Sequence, residues 1–226
     1  MKNHILIIGG MGPQASLKLH QLLLAQANHN AADSYPLIVD ASLPIEDFIA
    51  DKRREARAIT QINQALGALG GRQAKVVAIP CNTAHLLLNQ LDLADTNFVS
   101  IVDCVVDRIV AGKFKRVGIL ASPNSIQSQL YSRRLIELGI GFVNPTQSQQ
   151  LDLESIIRGV IGQEDSRQLN QELNNIISAF ARNDIDCLVI GCTELSTLEV
   201  KTKLPVIDSL AQLAESVMSK YQESRL

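Results

Sequence analysis

The 226-residue sequence contains no tryptophan, and aromatic residues make up only 4% of it. Base-stacking platforms for single-stranded nucleic acid are built from aromatics, so that class has little to work with here. An excess of positive charge is missing as well. The net charge is −2 at pH 7, which argues against a phosphate-binding footprint and a nucleic-acid partner. No apolar run approaches the roughly 20 residues of a membrane-spanning helix. Met1 to Ile8 holds a lysine and a short apolar run that Gly9-Gly10 cuts off, with no signal-peptide core or cleavage pattern behind it. The expectation is a cytoplasmic protein with no membrane partner. Only four cysteines occur, and in that compartment they read as reduced thiols rather than a disulfide framework. Cys81 and His85 stand four residues apart, but the second half offers no matching pair. A zinc site needs three or four ligands, so no metal is expected.

What remains is a globular composition, 46% apolar and 19% charged, enough for one large domain or two small ones. Two stretches organise it, Val76-Val77-Ala78-Ile79-Pro80-Cys81-Asn82-Thr83-Ala84-His85 and Leu188-Val189-Ile190-Gly191-Cys192-Thr193-Glu194-Leu195. Each is an apolar run of the kind that forms a buried parallel strand, stopped by a cysteine and a small polar turn. In open α/β sheets that strand edge is where ligands bind. The sequel repeats too. A helical segment, a strand ending in Asp (Asp103 or Asp208) and another helix follow each cysteine, with the Asp expected to cap the helix. This is a weak internal duplication of one α/β half.

Taken in order, His4 to Ile8 predicts the first strand, Gly9 to Pro13 a tight turn and Gln14 to about Asn28 a helix. The turn has neither dinucleotide-fingerprint nor P-loop spacing. It is either a strand–helix turn that needs glycines or a floor for a small carboxylate, and the residues alone leave both open. Pro36 to Leu43 reads as a strand, Asp51 to Leu69 as a helix with a charged start, and Lys75 to Ile79 as the strand before Cys81. In the second half, Arg116–Ala121, Gly139–Val143 and Asp186–Ile190 read as strands. Ser122-Pro123-Asn124-Ser125 is followed by one expected helix to about Leu138, a polar loop over 144–150, helices over 151–161 and 166–182, and a closing helix over 208–221 that packs back on the first half.

A thiol at a strand end, just before a helix, has its pKa lowered from about 8.5 by nearby N–H groups and the helix dipole. Two such thiols facing each other can remove a proton from one face of a carbon acid and deliver one to the other. Asn82, Thr83 and Thr193 supply donors for a carboxylate that takes on enolate character, and no cofactor is needed. A cysteine–histidine hydrolase would use one thiol and leave the duplication unexplained. Cys104 and Cys187 read as buried small apolar residues, and His85 as a helix cap or a tuner of Cys81.

The Gly-Gly-Met-Gly-Pro turn at 9–13, Pro-Cys-Asn-Thr-Ala-His at 80–85 and Gly-Cys-Thr-Glu-Leu at 191–195 resemble the aspartate/glutamate racemase family, in its aspartate racemase branch. The resemblance covers nearly the whole chain. It implies two pseudo-symmetric α/β domains with mainly parallel sheets and a cleft between them, here 1–102 with 208–226, and 103–207. It also implies cofactor-independent racemisation of a small amino acid or dicarboxylate, most simply aspartate or glutamate, and commonly a homodimer. Cys81 and Cys192 would be the acid/base pair. Asn82, Thr83, Ser122, Thr193 and Glu194 would hold the substrate, with Met11 in the floor. Two positions depart from the pattern. Phe48 stands where such racemases carry an Arg for the distal carboxylate, and Ile161 where they carry a Lys. Lys52, Arg53, Arg54 or Arg158 would then substitute, or the side chain recognised is neutral. Other two-cysteine members, hydantoin racemase and maleate cis-trans isomerase, remain alternatives, as does a non-catalytic amino-acid-binding protein.

Overall fold

The computed structural model describes residues 3–27, 35–46, 48 and 51–223, with the backbone alone at Lys52. The expected helix end at Asn28, Asp47 and the Lys52 side chain lie outside the described residues. Two compact units emerge, one comprising 1–101 with 210–226 and the other 102–209.

The first unit is built on a four-stranded parallel sheet. Its strands are β1 (Ile5–Gly9), β2 (Ile38–Ser42), β3 (Val76–Ala78) and β4 (Phe98–Val99), in the spatial order β2-β1-β3-β4. Parallel strands need crossovers, supplied here by α1 (Pro13–Gln26) and α2 (Lys52–Ala68), and between β3 and β4 by a 3-10 helix at Thr83–Gln90. All five β1 residues are buried, as expected of a central parallel strand covered on both faces. The edge strand β2 is only half-buried. Leu6, Ile8, Val77 and Ile79 form a core with Ala58 and Ile62 of α2.

The second unit repeats the plan. Strands β5 (Arg116–Leu120), β6 (Gly141–Val143), β7 (Cys187–Ile190) and β8 (Val206–Asp208) pair in parallel in the order β6-β5-β7-β8. Helices α3 (Ile101–Ala111), α4 (Pro123–Gln127), α5 (Ser132–Glu137), α6 (Gln147–Ile161), α7 (Ser166–Phe180) and α8 (Ser209–Glu223) complete the chain. Numbered within its own unit, each sheet runs 2-1-3-4, so the duplication extends to topology. From residue 102 onward α3 belongs to the second unit, and from residue 210 onward α8 belongs to the first. There Lys75 Nζ lies 4.6 Å from the Tyr221 ring centre. No helix among the described residues is long and apolar enough to cross a membrane.

Four expectations are corrected. Asp103 does not end a strand or cap a helix: β4 stops at Val99, and Asp103 lies in the first turn of α3. The one helix expected to run to Leu138 is two short ones, because the chain turns left-handed at Gln129 (φ 55°). α6 begins at Gln147, inside the stretch read as a polar loop, because Thr146 and Gln149 form a reciprocal capping box. The segment after Cys192 is a single 3-10 turn, Leu195–Thr197, not a helix like that after Cys81.

Candidate active site

Both cysteine stretches leave the C-terminal edge of their sheet at the same place, the third strand of the 2-1-3-4 order. In the first unit Ile7 pairs with Ala78, which carries Gly10 and Cys81 off the edge side by side. In the second Leu120 pairs with Ile190, which does the same for Ser122 and Cys192. All four cysteines are buried, and none is in a disulfide. Cys81 belongs to the core cluster of Leu6, Ile8 and Val77, and Cys192 to that of Leu120, Leu188 and Ile190. Each thiol therefore caps a hydrophobic core rather than standing in water.

Around Cys81, Asn82, Thr83 and His85 are buried and Met11 packs on the same core. His85 Nδ1 lies 2.9 Å from the Cys81 carbonyl oxygen, and its Nε2 accepts the Ile101 amide at 3.0 Å. An amide only donates and a carbonyl only accepts, so Nδ1 carries the proton and Nε2 does not. The imidazole thus braces the Cys81 backbone against the start of α3. The glycine turn is accounted for by sterics. Gly10 has φ +95°, and a Cβ there would lie 1.9 Å from the Leu43 carbonyl oxygen. Its amide donates to Ser16 Oγ at 3.3 Å. The turn therefore requires glycine at this position.

Around Cys192 the setting differs. Sγ donates to Glu194 Oε2 at 3.1 Å, and Thr193 Oγ1 donates to the same oxygen at 3.4 Å. Thr193 and Glu194 are 1% and 6% exposed. Glu194 Oε1 is buried with no hydrogen-bond partner among the described residues. Burial raises the Glu194 carboxyl, against the lowering effect of the Cys192 and Thr193 bonds. Burial, then the neighbouring Glu194 charge, pushes the Cys192 thiol well above its ordinary range. The expectation of a lowered thiol is overturned here, since one 3-10 turn offers little dipole against full desolvation. Ser122 caps α4 by accepting from Ser125 N at 3.3 Å and donates to Ser125 Oγ at 3.0 Å. Tyr131, which sequence reasoning missed, is buried against Gly191, where a Cβ would come 2.9 Å from its ring. No motif flags it. Cys187 is fully buried, and burial followed by the Asp186 charge pushes it up to about 12.

Of the proposed carboxylate anchors, Arg54 and Arg158 meet carboxylates of their own unit. Arg54 Nε lies 3.4 Å from Glu46 and 3.6 Å from Asp51, Arg57 lies 2.8 Å from Glu46, and Arg53 is exposed. Arg158 makes a two-point contact with Glu154, 3.0 and 2.6 Å. The N-terminal end of α6 meets the cysteine edge, where Gln150 reaches the Ala121 carbonyl at 3.0 Å. At 1.5 Å per residue Arg158 is about 12 Å further down that helix and Ile161 about 16 Å. Ile161 is half-exposed, whereas Phe48 is 6% exposed in the same core cluster as Cys81.

Comparison with known proteins agrees with this architecture. The model of the Asp/Glu/Hydantoin racemase family matches residues 8–217. The broad specificity amino-acid racemase RacX of Bacillus subtilis (strain 168) is 26% identical over 226 residues, spanning 95% of this chain and 96% of that one. A glutamate racemase of Shewanella frigidimarina is 29% identical over 126 residues, 53% of this chain and 46% of that one. Among solved structures, Picrophilus torridus aspartate racemase superposes with a TM-score of 0.83 at 24% identity, over 97% of this chain and 94% of that one. PH1733, an aspartate racemase homologue from Pyrococcus horikoshii OT3, gives 0.77 at 22% identity, over 97% and 99%. With the doubled sheet, the two thiols at equivalent strand ends and a family match over most of its length, the chain belongs to the Asp/Glu/hydantoin racemase family and is an isomerase of the amino-acid racemase type.

Proposed function

We propose that the protein inverts the α-carbon of an amino acid without a cofactor, by two-base proton transfer between Cys81 and Cys192, with aspartate and glutamate the first substrates to assay. One observation carries this reading: the same strand of the same 2-1-3-4 sheet leads to a buried thiol outside any disulfide in both units. Inversion requires one group to take the α-proton and a second to return one on the opposite face. In each direction the thiolate breaks the C–H bond and forms S–H, and the opposing thiol gives its proton to the carbanion. Asn82, Thr83, Ser122 and Thr193 supply donors for the α-carboxylate as it gains enolate character. We also read the protein as cytoplasmic, with reduced thiols, and as a homodimer, which light scattering would test.

A second reading concerns the substrate side chain. Phe48 is buried in the core cluster of Cys81, and Arg54, Arg57 and Arg158 have carboxylate partners. Both observations favour a neutral side chain over a second carboxylate. The test is α-proton exchange in D₂O followed by NMR, with reduced protein, no added cofactor, and both enantiomers of aspartate, glutamate and several neutral amino acids. Exchange with inversion is the expected result. Which substrates exchange decides between the two side-chain readings. No exchange on any of them, with a covalent adduct on maleate, would replace the racemase reading with cis-trans isomerisation. Thermal stabilisation by amino acids without exchange would replace it with binding alone.

A further inference from the structure

We propose that the outward face of α6 is where a second copy of the chain docks, the α6 of one protomer lying antiparallel along that of its partner. Leu153, Ile156 and Val160 turn the opposite face of α6 into the core of the second unit. That leaves Gln147, Leu151, Glu154, Arg158 and Ile161 along the outside, spaced alternately four and three residues apart. This alternation is the stripe by which two helices pack along each other. Its apolar members find little burial in their own unit: Leu151 is 64% exposed and Ile161 50%. The stripe is also self-complementary. Leu151 and Ile161 stand at equal distances either side of position 156, and so do Glu154 and Arg158. A twofold axis there sets Leu151 against the partner's Ile161 and Glu154 against the partner's Arg158. The first contact is apolar and the second joins opposite charges, whereas a parallel pairing in register would set like charges together. Glu154 already holds Arg158 within the helix at 2.6 Å, so in the dimer the four charges close a ring.

A second observation says where Ile161 goes. A cavity of about 270 Å³ opens between α4 and α6, and Pro123, Ile126, Pro145 and Leu151 give it mostly apolar walls. It lies at the Leu151 end of the stripe, where the antiparallel register delivers the partner's Ile161. Each protomer thus offers a hollow at one end of the helix and an exposed apolar side chain at the other. The contact has a consequence for the cysteine edge. Ser122, one of the proposed carboxylate donors, caps α4, so a side chain filling this hollow braces the helix that the serine begins. Two helices of this length make a contact at the small end of specific interfaces, so the dimer dissociates on dilution. The proposal deepens the homodimer reading above and rests on it, but it does not depend on the two-base reading.

The experiment is sedimentation equilibrium of the full, reduced chain from micromolar to millimolar concentration, with thermal melts to confirm that each variant is folded. Wild type is compared with Glu154→Arg, with the double variant Glu154→Arg and Arg158→Glu, and with Ile161→Gln. Glu154→Arg sets like charges together twice across the axis and should raise the dimer dissociation constant at least about tenfold. The double variant exchanges the two charges without changing the register, so it should return the constant towards the wild-type value. That recovery would not occur if the single variant had merely damaged the fold. Ile161→Gln withdraws the side chain from the hollow and should also weaken the dimer. A wild-type dimer whose constant is unchanged in all three variants overturns the α6 face and leaves the homodimer reading standing. Loss of the dimer in Glu154→Arg with no recovery in the double variant overturns it too. A chain that stays monomeric at millimolar concentration overturns both the face and the homodimer reading, and leaves the racemase reading untouched.

Discussion

Cys81 and Cys192 leave equivalent strands of equivalent sheets, yet their immediate surroundings have diverged. Cys81 is followed by eight residues of 3-10 helix, Thr83–Gln90, and its carbonyl is braced by a histidine that spends both ring nitrogens on backbone. Cys192 is followed by a three-residue turn, Leu195–Thr197, and its sulfur is held by a carboxylate. Duplication preserved what the backbone needs, which is strand order, a break in the ladder at the cysteine and a buried thiol over the core. The side chains that act on the sulfur were free to differ, because the sheet does not depend on them. Pseudo-symmetry of fold therefore does not carry over to the residues that follow each thiol.

The comparison is broken most severely by removing either thiol. Cys81→Ala and Cys192→Ala should each lower racemisation by about 10²- to 10⁴-fold or abolish it, measured as loss of optical rotation change. Substantial racemisation in either variant would remove the two-base mechanism. The brace comes next. His85→Ala leaves the Ile101 amide without its acceptor in a buried setting, at a cost of about 1–3 kcal/mol. Hydrogen exchange should report faster opening at Thr83–Ala111 with no change in β5–β8. Uniform loosening throughout would show that His85 does more than brace one segment.

A smaller effect separates the second unit by pH. Because the folded Glu194 carboxyl is raised above its ordinary 4.5, its contribution is fully present below that value and is lost as pH rises towards the folded one. The urea midpoint of wild type should therefore fall, relative to that of Glu194→Gln, as pH rises above about 4.5. A constant difference would mean the carboxyl is not raised. Smallest is the capping box of α6. Thr146→Ala should cost about 1 kcal/mol and leave the alkylation of Cys81 and Cys192 unchanged.

Much of this was legible in the chain. Ile5–Ile8, Val76–Ile79 and Leu188–Ile190 are short β-branched apolar runs of the kind a covered parallel strand accommodates, and the punctuation by Gly9-Gly10, Pro80-Cys81 and Gly191-Cys192 marked the edges. The start of α6 was also present in the sequence, since Thr146 and Gln149 have capping-box spacing, but the surrounding glutamines disguised it as loop. The left-handed turn at Gln129 has no such signal. Nor has Tyr131, since what places it is the absence of a side chain at Gly191, a neighbour in space.

Sequence by itself determined the fold class, the doubled framework and the two thiols. These rest on local periodicity and on residue types, which are properties of a short window. Tertiary structure alone decided what each thiol meets. Whether Cys192 is acidified by a helix or restrained by Glu194, whether His85 caps or braces, and whether Arg158 reaches the cysteine edge or lies about 12 Å along α6 from it, depend on distances set by packing. A pKa answers to the dielectric and charges within a few ångströms, and a linear chain does not specify those until the core has closed around the sulfur.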